Sequence, residues 1–429
     1  MGTGKTWVLI EWIKENLRNG VNVLPVLIVA PKSVCHTWEN ELVRFGEGLS
    51  FTVAYDGSVS ERREIVKSVL SDDEFDVLII NYEMLTRMPP TIGASTVILD
   101  ESTRIKNTKA ARSKAAYRIG RYAKYKWILT GSPIPRGVED IYGQIYFLDA
   151  GTLLGKNYWA FLQRYFSPVP IGPGRRMWKI SATGTKQIKQ RVAPLIFQRD
   201  RKECLRLPEK IYSRRMVEMH EEIKRYQTRV LEYWRLEDKE TNSRLAVDAW
   251  LRMLASGHTG DWSPIACNKY ASCLELVDDI DSSESVVIWT NFIKENKRLV
   301  DTLVSAGHSV VSIIGEVTQD ARTDALRKFE SRESRICVIS EQCGAFGLNE
   351  LRNANFVVYF SNGYDLELRM QSEDRTFRAG REVPCNYIDL ITTGTIEQHI
   401  LDLLETKNQM SESFFRAEVL RRMGLCGNI

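Results

Sequence analysis

Apolar residues along this chain fall into two series of short runs separated by polar, helix-patterned stretches. The first series covers residues 23–30, 76–81, 96–99 and 126–130; the second covers 285–290, 308–314, 335–340, 355–360 and 385–391. Runs of this length, rich in Val and Ile and without polar alternation, predict strands buried on both faces of parallel sheets. Between the series, from residue 150 to 270, the pattern turns aromatic, basic and helical, with Ile223, Tyr226, Val230 and Trp234 near helical spacing inside 221–254. From Thr395 onward, Ile396, Ile400, Leu403 and Leu404 share one helical face, which predicts a packing helix.

A chain of 429 residues exceeds what one hydrophobic core organises, so two α/β lobes are expected. The pattern places the first lobe in 1–150, a helical insertion and linker in 151–260, the second lobe in 261–394 and a C-terminal helical brace in 395–429, with the lobe boundary near 257–264. The two strand series suggest a repeated architecture, although no internal sequence repeat accompanies them.

Composition narrows the class. With 43% hydrophobic and 27% charged residues the chain is globular, and no apolar run has bilayer length, so no membrane partner is expected. Eight cysteines lack any C-x-x-C pair, and the five histidines do not fall beside them at zinc spacing. Reduced thiols, no structural zinc and a cytoplasmic protein are therefore expected. The net charge of +4 selects no partner, but residues 171–199 hold Arg175, Arg176, Lys179, Lys186, Lys189, Arg191 and Arg199 with no Asp or Glu. Such a stretch suits a phosphate backbone, or is a solvated basic surface.

Three segments carry candidate chemistry. The run Gly2-Thr3-Gly4-Lys5-Thr6 precedes Leu9, Trp12, Ile13 and Leu17 at helical spacing, the second half of a P-loop. There, backbone amides cradle the phosphates of ATP, Lys5 reaches the β and γ phosphates, and the Thr6 hydroxyl ligates Mg2+. Next, the apolar strand ending at Leu99 runs into Asp100-Glu101-Ser102-Thr103, at the carboxyl end of a parallel strand where ligands bind. Asp100 is placed to hold Mg2+ and Glu101 to orient or deprotonate the attacking water. The third segment runs from Gln371 through Arg375 and Arg378 to Arg381, with Arg375 and Arg378 spaced to share a helical face. An arginine brought from a second lobe stabilises the charge of a transferring phosphoryl group. A glycine turn, an Asp-Glu helix cap or a salt-bridged surface helix explains any one of these alone; the three in order favour a nucleotide site.

Together these segments resemble the helicase superfamily-two motors, specifically the Swi/Snf-like DNA translocases. The resemblance covers nearly the whole chain. Residues 26–34 with Trp38 resemble motif Ia, 76–85 the following block, and 97–107 the D-E-A-H box with its trailing R-I-K-N. Residues 129–134 resemble motif III, 287–290 motif IV, 314–322 the block after it, 339–349 motif V and 371–381 motif VI; residues 197–210 resemble the linker after the family's protrusion. The resemblance implies two tandem RecA-like lobes with a helical insertion, DNA-stimulated ATP hydrolysis and double-stranded DNA as partner. It further implies Lys32, Ser33, Thr130, Ser132, Ser340 and Asn349 as DNA contacts, Gly347 as an ATP contact, and Gln371 beside Glu101, Arg375 and Arg378 as catalytic residues. A strand-separating helicase and a nucleotide-gated DNA-binding module without turnover are the alternatives.

The chain departs from the family at Thr103, in place of the box histidine, and at Arg381, in place of the last glutamine. The family pattern D-E-M-G-x-G-K-T puts its methionine on Met1, so the family's first strand and adenine-recognising segment fall before residue 1. The resemblance thus implies a shortened motor, lacking a strand central to the first sheet and leaving its neighbours with unpaired backbone groups.

Overall fold

A computed structural model of the protein describes residues 3–408 apart from 56, 72–75, 90–91, 136, 173–174, 200–206, 234, 238, 242, 346–349 and 379. The chain divides into two compact units, one reaching Cys204 and the other spanning Leu205–Thr406.

The first unit is built on β1 (Val26–Ala30), β2 (Phe51–Ala54), β3 (Val77–Asn81), β4 (Thr96–Asp100) and β5 (Tyr125–Leu129), in the order β2-β3-β1-β4-β5 with every pairing parallel. Because side chains alternate across a strand, β1 sends Val26, Ile28 and Ala30 to a core with Leu9, Ile10, Ile13 and Trp38, and Leu27 and Val29 to another with Ala115, Ala116 and Ile119. Helices Lys5–Arg18 and Lys32–Phe45 therefore cover one face and helix Ala111–Gly120 the other. The ladder from β2 to β5 is continuous. Its half-exposed strand is β5, at an edge, where Trp12 packs edge-on against Tyr125 and Trp127.

The segment expected to be helical after residue 150 is only partly so. Helix Tyr158–Tyr165 leads into a hairpin, β6 (Phe166–Gly172) against β7 (Arg175–Ile180), followed by helix Ala182–Val192. Pro168 and Pro170 exclude a helix interior there, while Phe166, Trp178 and Ile180 face the cluster of Tyr142, Phe161, Tyr165 and Ile188.

The second unit starts well before residue 261. Strand β8 (Lys210–Val217) lies along the edge of its sheet, and the expected long helical stretch 221–254 is two helices, Glu221–Tyr233 and Arg244–Ala255, around the short ladder β9 (Arg235–Leu236) and β10 (Lys239–Glu240). The sheet continues with β11 (Val286–Thr290), β12 (Val310–Ile313), β13 (Ile336–Ser340), β14 (Phe356–Tyr359) and β15 (Cys385–Thr392), ordered β12-β13-β11-β14-β15-β8 and parallel throughout. Leaving β8 aside, this is the strand order of the first unit, so the two strand series are one topology used twice. The helix over 396–408 buries Ile400 and Leu404 against Leu366, as its apolar face predicts.

The six described cysteines are free thiols, five of them buried. Among the described residues no helix is long and apolar enough to cross a membrane.

Candidate nucleotide site and nucleic-acid contacts

In the first unit Gly4 stands at the head of helix Lys5–Arg18 with φ 77°, ψ 22°, left-handed geometry that glycine adopts without strain. The first turn carries no acidic residue, so its outward amides are suited to an anion. Gly2 lies outside the described residues; Thr3, Lys5 and Thr6 are half-buried.

The strand end supplies the opposite charge. Asp100, buried at the last position of β4, accepts from Trp38 Nε1 at 2.9 Å and from the Glu101 amide at 2.8 Å. Burial raises its carboxyl above the usual aspartate range, and the Lys5 ammonium and the Trp38 donor oppose that rise. Tyr82 donates to the Asp100 carbonyl at 2.8 Å and fixes the strand end from below. Glu101 itself holds φ 48°, ψ 56°, a left-handed conformation uncommon for a residue with a side chain and typical of functional positions.

Past the acidic pair, Ser102 donates to Gln144 Oε1 at 2.8 Å, and Gln144 Nε2 donates to the carbonyls of Pro133 at 2.6 Å and Asp140 at 3.0 Å. One buried amide thus ties the acidic box to the Thr130–Ile134 segment. Close approach requires glycine beside it: a Cβ on Gly143 would lie 2.4 Å from the Ile105 carbonyl oxygen. The trailing residues are held by Arg112 Nε, which donates to the Arg104 carbonyl, and by Ser113, which donates to the Asn107 carbonyl, both at 2.6 Å. Thr103, at the family's histidine position, is buried.

The expected DNA contacts are placed unequally. Lys32 is exposed and Thr130 half-buried, its hydroxyl accepting from the Ser132 amide at 3.2 Å. Ser132 and Ser340 are both buried, so neither hydroxyl lies at the surface in this conformation. The Ser33 side chain, Gly347 and Asn349 lie outside the described residues.

In the second unit helix Leu366–Thr376 carries Gln371, which donates to Glu367 Oε1 at 3.4 Å, and Arg375, which is half-buried. The helix ends at Thr376, so Arg378 lies beyond it, donating from Nε to the Asp374 carbonyl at 3.2 Å. The expected single helical face for Arg375 and Arg378 is therefore corrected. The stop has a cause at the departure noted in the sequence: Arg381 donates to the carbonyls of Thr376, Arg352, Ala354 and Val383 and to Asn355 Oδ1. It caps the helix and pins the turn that follows.

Pattern reading missed the group that anchors this helix. Arg369, buried, donates to Asp389 through two nitrogens at 2.6 and 3.0 Å, to Asn362 Oδ1 at 2.7 Å and to Glu373 at 3.0 Å, and its guanidinium lies 3.3 Å from the Tyr359 ring centre. Burial opposes ionisation of Glu373, yet Lys210 and Arg369 hold its carboxyl below the ordinary value. At the carboxyl ends of β11, β13 and β14, buried Glu295 accepts from Ser361 Oγ at 2.5 Å, and Glu341 accepts from the Gly363 amide. Burial pushes both carboxyls up to about 7, against Lys269 for Glu295 and Arg369 for Glu341. Glu341 directly follows Ser340; that adjacency was the one sequence signal that could have flagged it. For Gln144 the signal was an amide inside the apolar helix Ile141–Asp149.

Residues 1–257 match the model of the SNF2-related domain and residues 268–380 that of the helicase conserved C-terminal domain. Among relatives, the chain is 25% identical over 449 residues to the ATP-dependent helicase/translocase YwqA of Bacillus subtilis (strain 168), covering 97% of this chain and 46% of YwqA. It is 22% identical over 444 residues to protein p41 of Acyrthosiphon pisum secondary endosymbiont phage 1, covering 97% of this chain and 93% of p41. A solved SWI2/SNF2 ATPase core of Sulfolobus solfataricus in complex with dsDNA aligns at 24% identity and TM-score 0.43, over 99% of this chain and 90% of that one. The chain spans less than half the length of YwqA but nearly all of p41. With an SNF2-related domain over more than half its residues and a helicase C-terminal domain following in order, the chain belongs to the SNF2 family.

Proposed function

We propose that this chain hydrolyses ATP when bound to double-stranded DNA and uses the cycle to move along the duplex, remodelling DNA or the proteins on it. The observation that carries this reading is the pairing of Lys5, at a helix start, with Asp100, at a strand end: a positive charge for phosphate and a buried carboxylate in electrostatic reach of it. The helix-start amides and Lys5 bind the phosphates, with Thr3 and Thr6 beside them; Gly2 and Gly347 complete the set by the family pattern. Glu101 orients the attacking water and takes its proton, while Arg375 and Arg378, with Gln371, supply donors for the charge on the γ-phosphoryl oxygens.

Mg2+ fits the donors present. Asp100 and Thr6 offer hard oxygen ligands, and the burial that raises the Asp100 carboxyl would be relieved by a cation. When bound, Mg2+ neutralises phosphate charge.

The DNA reading rests on exposed Lys32 and on the acid-free basic run 171–199. Phosphate contacts position without specifying sequence, so binding shows little sequence preference and a steep salt dependence. Action in a bacterial or phage-infected cytoplasm is part of this reading and suits the likeness to p41.

Phosphate release is the test, measured without nucleic acid, with single strands and with duplex. Stimulation by duplex that Glu101→Gln abolishes, while ATP still binds, is the expected result. Release no faster than that of the variant would leave only a nucleotide-gated binder, and duplex separation in place of triplex displacement would make the chain a strand-separating helicase.

A further inference from the structure

Strand β8 ends the second sheet on one side, and among the described residues no strand lies beyond it. Its ladder to β15 runs over eight residues without a shift of register. The Cys385 and Thr393 amides donate to the Glu209 and Val217 carbonyls, so the odd-numbered residues of β8 turn their backbone groups toward β15. Successive residues of a strand bond to opposite sides, and the N–H and C=O groups of Lys210, Tyr212, Arg214 and Met216 therefore point away from the sheet. Natural sheets blunt such an edge with proline, a bulge or an outward charge. This strand has no proline and no bulge, and Ile211, Tyr212 and Met216 are exposed along it.

The charges of β8 are turned to the chain's own carboxylates. Lys210 meets Glu373 at 2.8 Å. Arg214 pairs with Glu405 and, at 3.5 Å, with Asp402, both on the helix over 396–408. Arg215 points to the opposite face and pairs with Glu275 at 2.9 Å and Asp279 at 3.3 Å, both on helix Asn268–Asp279. Glu405, Asp402, Glu275 and Asp279 are 54%, 56%, 67% and 71% exposed, against 37% for Arg214 and 29% for Arg215. Each face of the open edge thus shows solvent two acids for one partly covered base, and both rims are net acidic.

We propose that the outer edge of β8 takes up an extended segment of another protein, with two successive basic residues between β-branched ones, as a further strand of the sheet. The outward groups of Lys210, Tyr212, Arg214 and Met216 supply the backbone bonds. Neighbouring side chains of an extended segment point to opposite faces, so two successive cations reach one acidic rim each. The β-branched residues beside them cover Ile211, Tyr212 and Met216. A second copy of β8 fits less well, because pairing it edge to edge would bring like-charged rims together. This surface belongs to the second unit alone, and the proposal stands whether or not the chain hydrolyses ATP.

Fluorescence anisotropy of the full chain tests it, with a labelled octapeptide of two lysines between threonine-valine-threonine arms as the probe. We expect this peptide to bind, and two controls not to: one with glutamates in place of the lysines, and one with prolines in place of the valines. Met216→Pro removes an outward donor while leaving the ladder to β15 intact, and weakens binding by about tenfold; Met216→Thr keeps most of it. Asp279→Asn combined with Asp402→Asn also weakens binding and flattens its salt dependence. A thermal melt matching the parent chain shows that each variant folds, and the asparagine pair carries the test should Met216→Pro not fold. Equal binding by the proline peptide would reduce the contact to charge alone and overturn the proposal. So would unaltered affinity in a folded Met216→Pro or asparagine variant, or a self-associated parent chain that Met216→Pro makes monomeric.

Discussion

Ser102 donates its hydroxyl to Gln144 Oε1, and Gln144 Nε2 donates to the carbonyl of Pro133, so the acidic box and the Thr130–Ile134 segment share one buried amide. In the proposed motor the first segment attends the nucleotide and the second the DNA, which makes Gln144 the physical link between the two tasks.

Gln144→Ala removes the acceptor of the buried Ser102 hydroxyl and the amide donor to the Pro133 carbonyl, at a cost of roughly 1–3 kcal/mol. We expect ATP binding to persist while duplex-stimulated phosphate release falls toward the unstimulated rate. Denaturant titration and phosphate release with and without duplex check both halves; a proportional fall in both rates would deny Gln144 its linking role.

Trp38→Phe keeps the ring in the core and removes the N–H that stabilises ionised Asp100. Loss of a donor to the charged form raises the carboxyl further. The acid limb of the hydrolysis profile therefore moves to higher pH, with a loss of several-fold at the acidic end. A profile superimposable on that of the parent chain would show that Asp100 does not govern this limb.

Arg369→Met strands Asp389 and Glu373 in the core of the second unit, and breaking a buried pair from one side costs about 3–5 kcal/mol. Arg369→Lys keeps the charge but loses the forked geometry on Asp389, so it falls between. Thermal melts rank the three chains; a Met variant as stable as the parent would mean the network is replaceable by packing.

Glu295 and Glu341 titrate in the fold near 7 because burial disfavours their charge, well above the ordinary carboxyl value of 4.5. The folded second unit thus binds more protons than the unfolded chain between these values. Their contribution to stability is fully present below about 4.5 and is lost as pH rises through 7. Lys269 and Glu397 act on Glu295, and Arg369 and Arg252 on Glu341. Glu295→Gln is expected to raise the melting temperature above neutral pH and to flatten its pH dependence; a variant as pH-sensitive as the parent would place the titration elsewhere.

The nine apolar runs found their strands because burial on both faces leaves no polar residue to blur the pattern. Strand β2 escaped notice since only Ala54 of its four residues is buried. The β6/β7 hairpin was hidden by composition: aromatic and basic residues suggest helices, and the prolines that forbid one carry no long-range signal. Strand β8 could not be read at all, for most of its residues are exposed and its place is set by pairing with residues 385–392. The candidate nucleotide site could be proposed from Lys5, Asp100 and Glu101, where chemistry dictates residue type and spacing. The supports of the candidate segments, Trp38 and Gln144 in the first unit and Arg369 in the second, depend on contacts across many residues and declared themselves only in three dimensions.

That same pairing bears on how the protein is made. Lys210 leaves the ribosome long before Cys385, its partner in the ladder. Until the last strand emerges, β8 has nothing to dock on, and the rim of the second sheet stays open. Completion of that sheet is therefore a late event in synthesis, and a nascent chain halted short of Thr392 would expose a bare strand edge to any neighbour able to pair with it.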